Sequence, residues 1–239
     1  KKTEKEWRKR SQRKTLTMKD DTGKRIGASR VSVPGLIPIF PTPILVTKYA
    51  SSFEDEFKFI KGLKYTEQEE NRNFRSDDTY LLKREELSKI KDFFYESINR
   101  YTQQIWMTNQ KLIITQCWTN KNPPQSVHHE HVHANSVLSG VFYFRQIKTL
   151  PPIQFQKTVN DPISLNPERY NSVNSDTFLL PLVDGELVLF PSNIRHSVPI
   201  NKGNETRYSM SFNTFCVEEL GNKNNLTHLD IKGLTSILY

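Results

Sequence analysis

The chain has 239 residues, of which 36% are hydrophobic, so it is long enough to bury the core of one moderate domain. Its longest apolar stretch, residues 33–47, contains four prolines, which excludes a membrane-spanning helix there, and we expect no membrane partner. The two cysteines, Cys117 and Cys216, are too few for a disulfide framework. Because such sparse cysteine use is typical of a reducing compartment, the sequence predicts a cytoplasmic location.

The net charge of +8 is confined to the start of the chain. Residues 1–30 hold 12 Lys and Arg against four Asp and Glu, whereas the other 209 residues hold 22 of each. Because this leader is also poor in hydrophobic residues, we predict a flexible arm over residues 1–33 and a single folded domain over 34–239. The alternative role for the arm is electrostatic contact with nucleic acid or another polyanion.

The first part of the domain, residues 34–110, is predicted to be a strand followed by helical cover. Residues 37–47 are β-branched and flanked by proline, which favours an edge strand. Residues 51–64 open with serine and early acidic residues, as helices often do, and the polar residues 66–79 are predicted to be a loop. The strongest helix prediction covers residues 84–106, where apolar residues recur every three or four positions.

From residue 111 onward the sequence pattern is typical of β-strands. Short apolar runs separated by Gly, Pro, Asn and Asp occur at 112–118, 137–144, 152–156, 178–182, 186–190 and 207–215. Helices followed by a series of strands predict a mainly β fold with flanking helices, in which residues 111–215 form an antiparallel barrel or jelly roll. Residues 216–239 are then a C-terminal extension, and the long polar connection 156–176 is a candidate lid.

Four of the six histidines lie between positions 128 and 133. In an extended strand, alternate residues share a face, so His129, His131 and His133 are expected on one side and His128 and Glu130 on the other. Two imidazoles on one face can bind one metal ion when neighbouring groups orient their rings. The alternative is a histidine-rich loop that lies beside a core strand without a metal.

A fifth histidine, His196, follows the apolar strand 186–190 in a short polar loop. From a neighbouring strand it can supply a third ligand to the same ion. Eleven residues later, Arg207 begins a strand in which Arg207, Ser209 and every second residue to Asn213 are polar. If that face points into the barrel, the guanidinium of Arg207 can hold a carboxylate through two parallel hydrogen bonds, and the hydroxyl of Ser209 can add a third.

This pattern resembles the iron(II)- and 2-oxoglutarate-dependent oxygenases, which have the double-stranded β-helix, or jelly-roll, fold. More narrowly, it is similar to a group of small bacterial and phage proteins of that superfamily. The motifs that carry the resemblance, in order along residues 38–215, are IFPTPI, QCWTN, HVHANSVLSGVFYF, DGELVLFPSNIRHSV and RYSMSFNTF. The resemblance implies the cofactors Fe(II), 2-oxoglutarate and O2, and an oxidisable substrate that is a protein or a small molecule. The reaction it implies is a hydroxylation coupled to decarboxylation of 2-oxoglutarate.

The resemblance also implies the residues of the site. The implied metal ligands are His131, His133 and His196, and the implied 2-oxoglutarate contacts are Arg207, Ser209 and Tyr143. The superfamily usually binds iron through two histidines and one carboxylate, and here the position of the carboxylate holds His133. Two other ligand pairs therefore stay open, His129 with His131, and His128 with Glu130.

Three other interpretations compete with this one. Three histidines with an open position are also a catalytic zinc arrangement. A non-catalytic jelly-roll protein, structural or accessory to a phage particle, is the second, and it would place the chain in the virion. A nucleic-acid demethylase of the same superfamily is disfavoured, because the excess positive charge lies in the arm and not in the domain. The sequence makes no prediction of the oligomeric state.

Overall fold

The computed structural model describes residues 15–17, 37, 39–157, 168 and 170–231. The predicted flexible arm, residues 1–33, lies outside the described residues except for β1 (Thr15–Thr17), which pairs in parallel with a later strand, Thr177–Leu180. Most of the candidate lid 156–176 and the end of the C-terminal extension lie outside them as well. Within the part of the chain that is described, no helix is long and apolar enough to span a membrane.

In the described residues, two α-helices precede the main run of strands, α1 (Glu54–Lys61) and α2 (Ser88–Gln104). The predicted helix 84–106 is confirmed over most of its length, but its start consists of two 3-10 turns, Leu81–Lys83 and Glu85–Leu87. The stripe of Ile90, Phe94, Ile98 and Tyr101 on α2 is fully buried. These side chains hold the helix against a β-sheet, as the periodicity predicts.

Fourteen strands are found in the described residues, β1 among them. Those before and within the jelly roll are β2 (Leu45–Lys48), β3 (Tyr65–Gln68), β4 (Asn73–Ser76), β5 (Leu112–Asn122), β6 (His128–His131), β7 (Leu138–Arg145), β8 (Ile153–Gln156), β9 (Thr177–Leu180), β10 (Glu186–Pro191), β11 (His196–Val198) and β12 (Arg207–Cys216). A small hairpin of β13 (Glu219–Leu220) and β14 (Leu229–Asp230) follows. The predicted edge strand 37–47 corresponds to β2, which begins later than predicted but does lie at a sheet edge.

The strands form two large sheets whose order is that of a jelly roll. The larger sheet has the order β2-β10-β7-β12-β5-β4-β3, and the smaller one has the order β1-β9-β8-β11-β6. Strands β5 to β12 are thus divided between the sheets, with β5, β7, β10 and β12 in the larger and β6, β8, β9 and β11 in the smaller. This topology confirms the predicted fold class.

The prediction of a loop at residues 66–79 is wrong. In the structure β3 and β4 form an antiparallel hairpin there, which extends the larger sheet beyond β5. The prediction failed because these strands carry few apolar residues. Asn73 and Arg75 line a cavity instead of packing in the core, so the hydrophobic alternation that marks a strand is missing.

The two faces of the larger sheet pack differently. One face contacts α2, where Phe94 and Phe212 have ring centroids 4.7 Å apart. Gly140 allows this packing, since a Cβ at that position would lie 2.1 Å from the ring of Phe212. The other face meets the smaller sheet through a second apolar cluster, which includes Phe155 and Phe190. That cluster fills only part of the space between the sheets, and a polar cavity occupies the rest.

Candidate metal and 2-oxoglutarate site

The cavity between the two sheets has a volume of about 480 Å³. The larger sheet contributes side chains from β4, β5 and β12, and the smaller sheet contributes the histidines of β6 and β11. The polar alternation predicted for β12 is observed, because Arg207, Ser209, Ser211 and Asn213 all line the cavity. No acidic side chain is among the described residues that line it.

His131, His133 and His196 converge at one end of the cavity. His131 ends β6 and is paired in register with His196 at the start of β11, so adjacent strands place these two imidazoles side by side. His133 lies beyond the strand and is held by a hydrogen bond from its backbone N–H to the carbonyl of Ser192, 3.0 Å long. One ring nitrogen of each residue lies within 4.8 Å of the other two, and the Nε2 atoms of His131 and His133 are 3.2 Å apart.

Hydrogen bonds at the opposite ring nitrogens set the orientation of all three imidazoles. Nδ1 of His131 donates to the carbonyl of His129 at 2.9 Å, and Nδ1 of His196 donates to the carbonyl of Ile194 at 3.0 Å. Nδ1 of His133 donates to the side-chain oxygen of Asn213. With the proton held on Nδ1, each Nε2 keeps a free lone pair.

The electrostatics of the cluster favour the neutral imidazole. Burial is the main cause, and it lowers the pKa of His131 to about 4 and that of His196 to about 3. Burial also lowers the pKa of His133. At neutral pH all three rings are therefore uncharged.

This donor set fits a divalent transition metal. Two Nε2 lone pairs that face each other at 3.2 Å repel unless a cation lies between them, and the lowered pKa values disfavour a proton in that role. Nitrogen ligands on one side, with the open cavity on the other, suit iron or zinc with vacant coordination positions.

The lowered pKa values predict how the stability of the metal-free protein depends on pH. The folded state keeps His196 neutral down to about pH 3, whereas the unfolded chain takes up a proton near the ordinary value of 6.5. The contribution to stability is therefore complete above pH 6.5 and is lost progressively as the pH falls towards 3. We expect the urea midpoint of EDTA-treated protein to fall between pH 7.5 and pH 5, and to fall less in His196→Gln. Equal slopes for the two proteins would contradict this.

Arg207 lies in the same cavity and is 2% exposed. Its guanidinium donates only to neutral groups among the described residues, namely the side-chain oxygens of Gln146 at 2.8 Å, Asn122 at 3.2 Å and Ser209 at 3.2 Å. A buried cation without a carboxylate partner is costly, so this position is suited to an anionic ligand.

Two further buried groups beside Arg207 have unused hydrogen-bonding capacity. Among the described residues, no group accepts a hydrogen bond from the side-chain amide nitrogen of Asn122 or from the hydroxyl of Tyr143. The guanidinium lies 4.9 Å from the centroid of the Tyr143 ring. Burial raises the pKa of Tyr143, so its hydroxyl keeps its proton. Together with Arg207, which lines the cavity, these two groups place several donors close to one another, and such a group of donors suits a carboxylate.

The other residues of the histidine cluster lie apart from the three converging nitrogens. The register shifts between β6 and β11, and the ring of His128 lies against that of His131, with centroids 4.8 Å apart. The prediction that His128 lies on the face opposite to His129 and His131 is therefore wrong. Nδ1 of His129 accepts a hydrogen bond from the amide of Asn71 at 2.9 Å. The carboxylate of Glu130 lies 3.5 Å from Arg195 and is not part of the group that could hold a metal.

Sequence reasoning did not identify Asn122, Asn213 or Gln146. Residues 116, 118, 120 and 122 of β5 alternate with Cys117 and Thr119, and this period of two was a usable signal for a cavity-facing strand. No such signal existed for Gln146, which reaches Arg207 from the end of β7 only because of the fold.

Comparison with known families agrees with this geometry. Residues 116–213 match the model of a family described as "Putative 2OG-Fe(II) oxygenase", and this segment contains the six site residues that the sequence resemblance implies. No curated protein is detectably similar to the sequence.

Solved structures show the fold. HygX from Streptomyces hygroscopicus, solved with nickel, 2-oxoglutarate and hygromycin B bound, is 12% identical with a TM-score of 0.54, over 72% of this chain and 82% of HygX. The α-ketoglutarate-dependent epimerase SnoN from nogalamycin biosynthesis is 10% identical with a TM-score of 0.57, over 74% of this chain and 77% of SnoN. Residues 116–213 are therefore similar to a family of 2OG-Fe(II) oxygenases, and the chain shares its fold with HygX and SnoN.

Proposed function

We propose that this protein is an Fe(II)- and 2-oxoglutarate-dependent dioxygenase that hydroxylates a substrate while 2-oxoglutarate is decarboxylated. One observation supports this most strongly. Three imidazoles whose ring nitrogens converge lie in the same cavity as a buried arginine that has no anionic partner among the described residues. The three imidazoles suit a metal ion, and the buried arginine suits one carboxylate of a dicarboxylate. Few cofactors need both.

In this proposal His131, His133 and His196 are the iron ligands. Arg207 and Ser209 bind the carboxylate of 2-oxoglutarate that is remote from the metal, and the hydroxyl of Tyr143 donates to the same group. Iron and 2-oxoglutarate held by these residues would activate O2, which is the oxidant, whereas the protein fixes their positions and excludes water. Asn213 keeps the Nδ1 proton of His133 in place, which leaves its Nε2 free to bind the metal.

The replacement of the usual carboxylate ligand by His133 changes the charge of the site. Three neutral imidazoles leave both positive charges of Fe(II) uncompensated, and Arg207 adds a third in the same cavity. The two carboxylates of 2-oxoglutarate compensate most of this charge. We therefore expect 2-oxoglutarate to strengthen the binding of iron more than it does in a site with a carboxylate ligand.

The proposal is tested by anaerobic titration of the metal-free protein with Fe(II) and then with 2-oxoglutarate. We expect a visible charge-transfer absorption band when both are present, and succinate after O2 is admitted. Protein that binds Fe(II) but gives neither the band nor succinate is not a 2-oxoglutarate oxygenase.

A zinc enzyme is the second candidate, because three histidine ligands and an open position also suit catalytic zinc. Zinc hydrolysis has no need of an anion pocket built around Arg207, so binding of 2-oxoglutarate distinguishes the two. Hydrolytic activity of the zinc-loaded protein, together with no affinity for 2-oxoglutarate, would favour this alternative.

A further inference from the structure

A second polar surface lines the cavity and is not used by the proposed iron and 2-oxoglutarate site. It is formed by β3, β4 and the loop between them, together with β5. We call it the amide wall, and it consists of Gln68, Asn71, Asn73, Arg75, Gln116 and Asn120. Side chains so rich in amides are adapted to hydrogen-bond a ligand rather than to pack against one.

The strand register places the amide wall beside the anion pocket but separate from it. Arg75 is paired with Asn120, Asn120 with Ser209, and Ser209 with Tyr143, so these four residues form one row across the larger sheet. Two strand spacings put the backbone of Arg75 about 10 Å from that of Ser209. Arg75 is therefore a second cationic group of the cavity, distinct from Arg207.

Asn73 shows that the amide wall is incomplete without a ligand. It lies on β4 two residues before Arg75, is 1% exposed, and lines the cavity. Its side-chain oxygen is buried and accepts no hydrogen bond from any described residue. Because buried amides in folded proteins are almost always hydrogen-bonded, this oxygen is suited to accept a hydrogen bond from an N–H or O–H group of a ligand.

Charge defines the class of ligand further. Arg75 and Arg207 both line the cavity, and the described lining contains no Asp or Glu. Arg75 is also exposed and forms no ion pair with any described carboxylate. A cavity whose charged lining residues are both arginines attracts anions and disfavours cations.

Trp118 connects the amide wall with the metal site. It lies on β5 two residues before Asn120, and its ring centroid is 5.9 Å from that of His133. A ligand whose anionic group is held by Arg75 can therefore lay its carbon skeleton over the indole and reach the three histidines. Such a position is the one that a substrate must occupy.

We propose that the amide wall binds the substrate, and that the substrate is a small organic anion with at least one O–H or N–H donor. This proposal rests on the proposed function. Arg75 binds the carboxylate or phosphate of the substrate, and the side-chain oxygen of Asn73 accepts a hydrogen bond from its donor. Apolar compounds are excluded because they leave both Asn73 and Arg75 without partners, and cationic compounds are disfavoured because Arg75 and Arg207 repel them.

The test uses full-length protein loaded with 2-oxoglutarate and with Ni(II) in place of Fe(II). The metal and 2-oxoglutarate positions are then occupied, but no reaction takes place. Binding is measured by saturation-transfer NMR and by titration with two matched sets of probes. The first set is gluconate, glucose 6-phosphate, glucose and glucosamine, which share hydroxyl donors and differ in charge. The second set is N-acetylglutamate and its neutral diamide. We expect an anion of at least one set to bind, and its neutral and cationic counterparts to bind at least about tenfold more weakly.

Variants identify the surface that is responsible. Arg75→Gln should weaken binding of that anion by about tenfold or more. Asn73→Leu should weaken it as well without lowering thermal stability, because it removes an amide whose oxygen is unsatisfied in the free protein. Arg72→Gln is the matched control, since Arg72 is an exposed arginine of the same hairpin that does not line the cavity. It should leave binding unchanged. A comparison of gluconate with glucose 6-phosphate tells a carboxylate from a phosphate.

Equal binding of anionic and neutral probes, no binding of any anion, or equal effects of Arg75→Gln and Arg72→Gln would overturn the proposal. A loss of 2-oxoglutarate affinity in Arg75→Gln would also overturn it, because Arg75 would then hold the cosubstrate. If the wild-type protein fails to bind 2-oxoglutarate with Fe(II), the proposed function fails instead. If it binds both but none of the anions, only the present inference fails.

Discussion

Substitution of His196 by Ala is expected to abolish iron binding and turnover. His196 is 5% exposed and is one of only three imidazoles in the described residues whose ring nitrogens converge. Loss of a group that merely orients a metal ligand typically reduces metal affinity 10- to 100-fold, so loss of a ligand should reduce it by more than about 100-fold. Anaerobic titration calorimetry with Fe(II) measures the affinity, and succinate formation measures turnover.

His228→Ala is the matched control for this experiment. His228 lies in the C-terminal extension, bonds Glu219 at 3.1 Å, and does not line the cavity. It should bind iron as the wild-type protein does. Because His196→Ala also opens a small void in the core, circular dichroism at the temperature of the titration must show that the variant is folded. A folded His196→Ala protein with wild-type iron affinity would show that the ligand set is wrong.

Substitution of Arg207 by Gln is expected to weaken 2-oxoglutarate binding while iron binding is retained. The guanidinium is buried, and truncation of one partner in a buried, hydrogen-bonded charge pair costs about 2–5 kcal/mol. That range corresponds to a loss of affinity of at least about 30-fold. The rise in melting temperature that 2-oxoglutarate produces in the iron-loaded wild-type protein should then disappear, since stabilisation by a ligand depends on its affinity.

Arg207→Lys tests the geometry of the same contact. Lysine keeps the charge but loses the planar pair of donors, so its affinity for 2-oxoglutarate should lie between those of the wild-type protein and Arg207→Gln. Iron affinity without 2-oxoglutarate should be similar in all three proteins, because Arg207 bonds Gln146, Asn122 and Ser209 and no iron ligand. Normal 2-oxoglutarate binding by Arg207→Gln would place the cosubstrate elsewhere in the cavity.

The elements that sequence reasoning predicted well share a physical property, which is a regular hydrophobic period. The apolar stripe of α2 recurs at the helical spacing, and β7 and β10 are continuous apolar runs because both are buried on both faces. The hairpin of β3 and β4 was missed for the opposite reason. Its inward-facing residues, Asn73 and Arg75, are polar because they line a cavity, and a strand with a polar inner face looks like a loop in sequence.

The sequence alone determined the class of fold, the concentration of histidines before β7, and the alternation that turns Arg207 and Ser209 to one side of a strand. These are local properties, set by side-chain spacing along one strand or helix. The tertiary structure decided which histidines meet. Pairing of β6 with β11 brings His196 to His131 across 65 positions, and the end of β6 at His131 frees His133 to turn towards them.

The tertiary structure also decided what surrounds these residues. Arg207 is buried without a carboxylate, and the side-chain oxygen of Asn73 without a donor, among the residues that the structure describes. Both facts depend on contacts between strands that lie far apart in the chain. Desolvation, which lowers the pKa of the histidines, arises only once the two sheets enclose the cavity. Spacing along a strand is thus readable from the sequence, whereas burial and pairing across sheets are consequences of the fold.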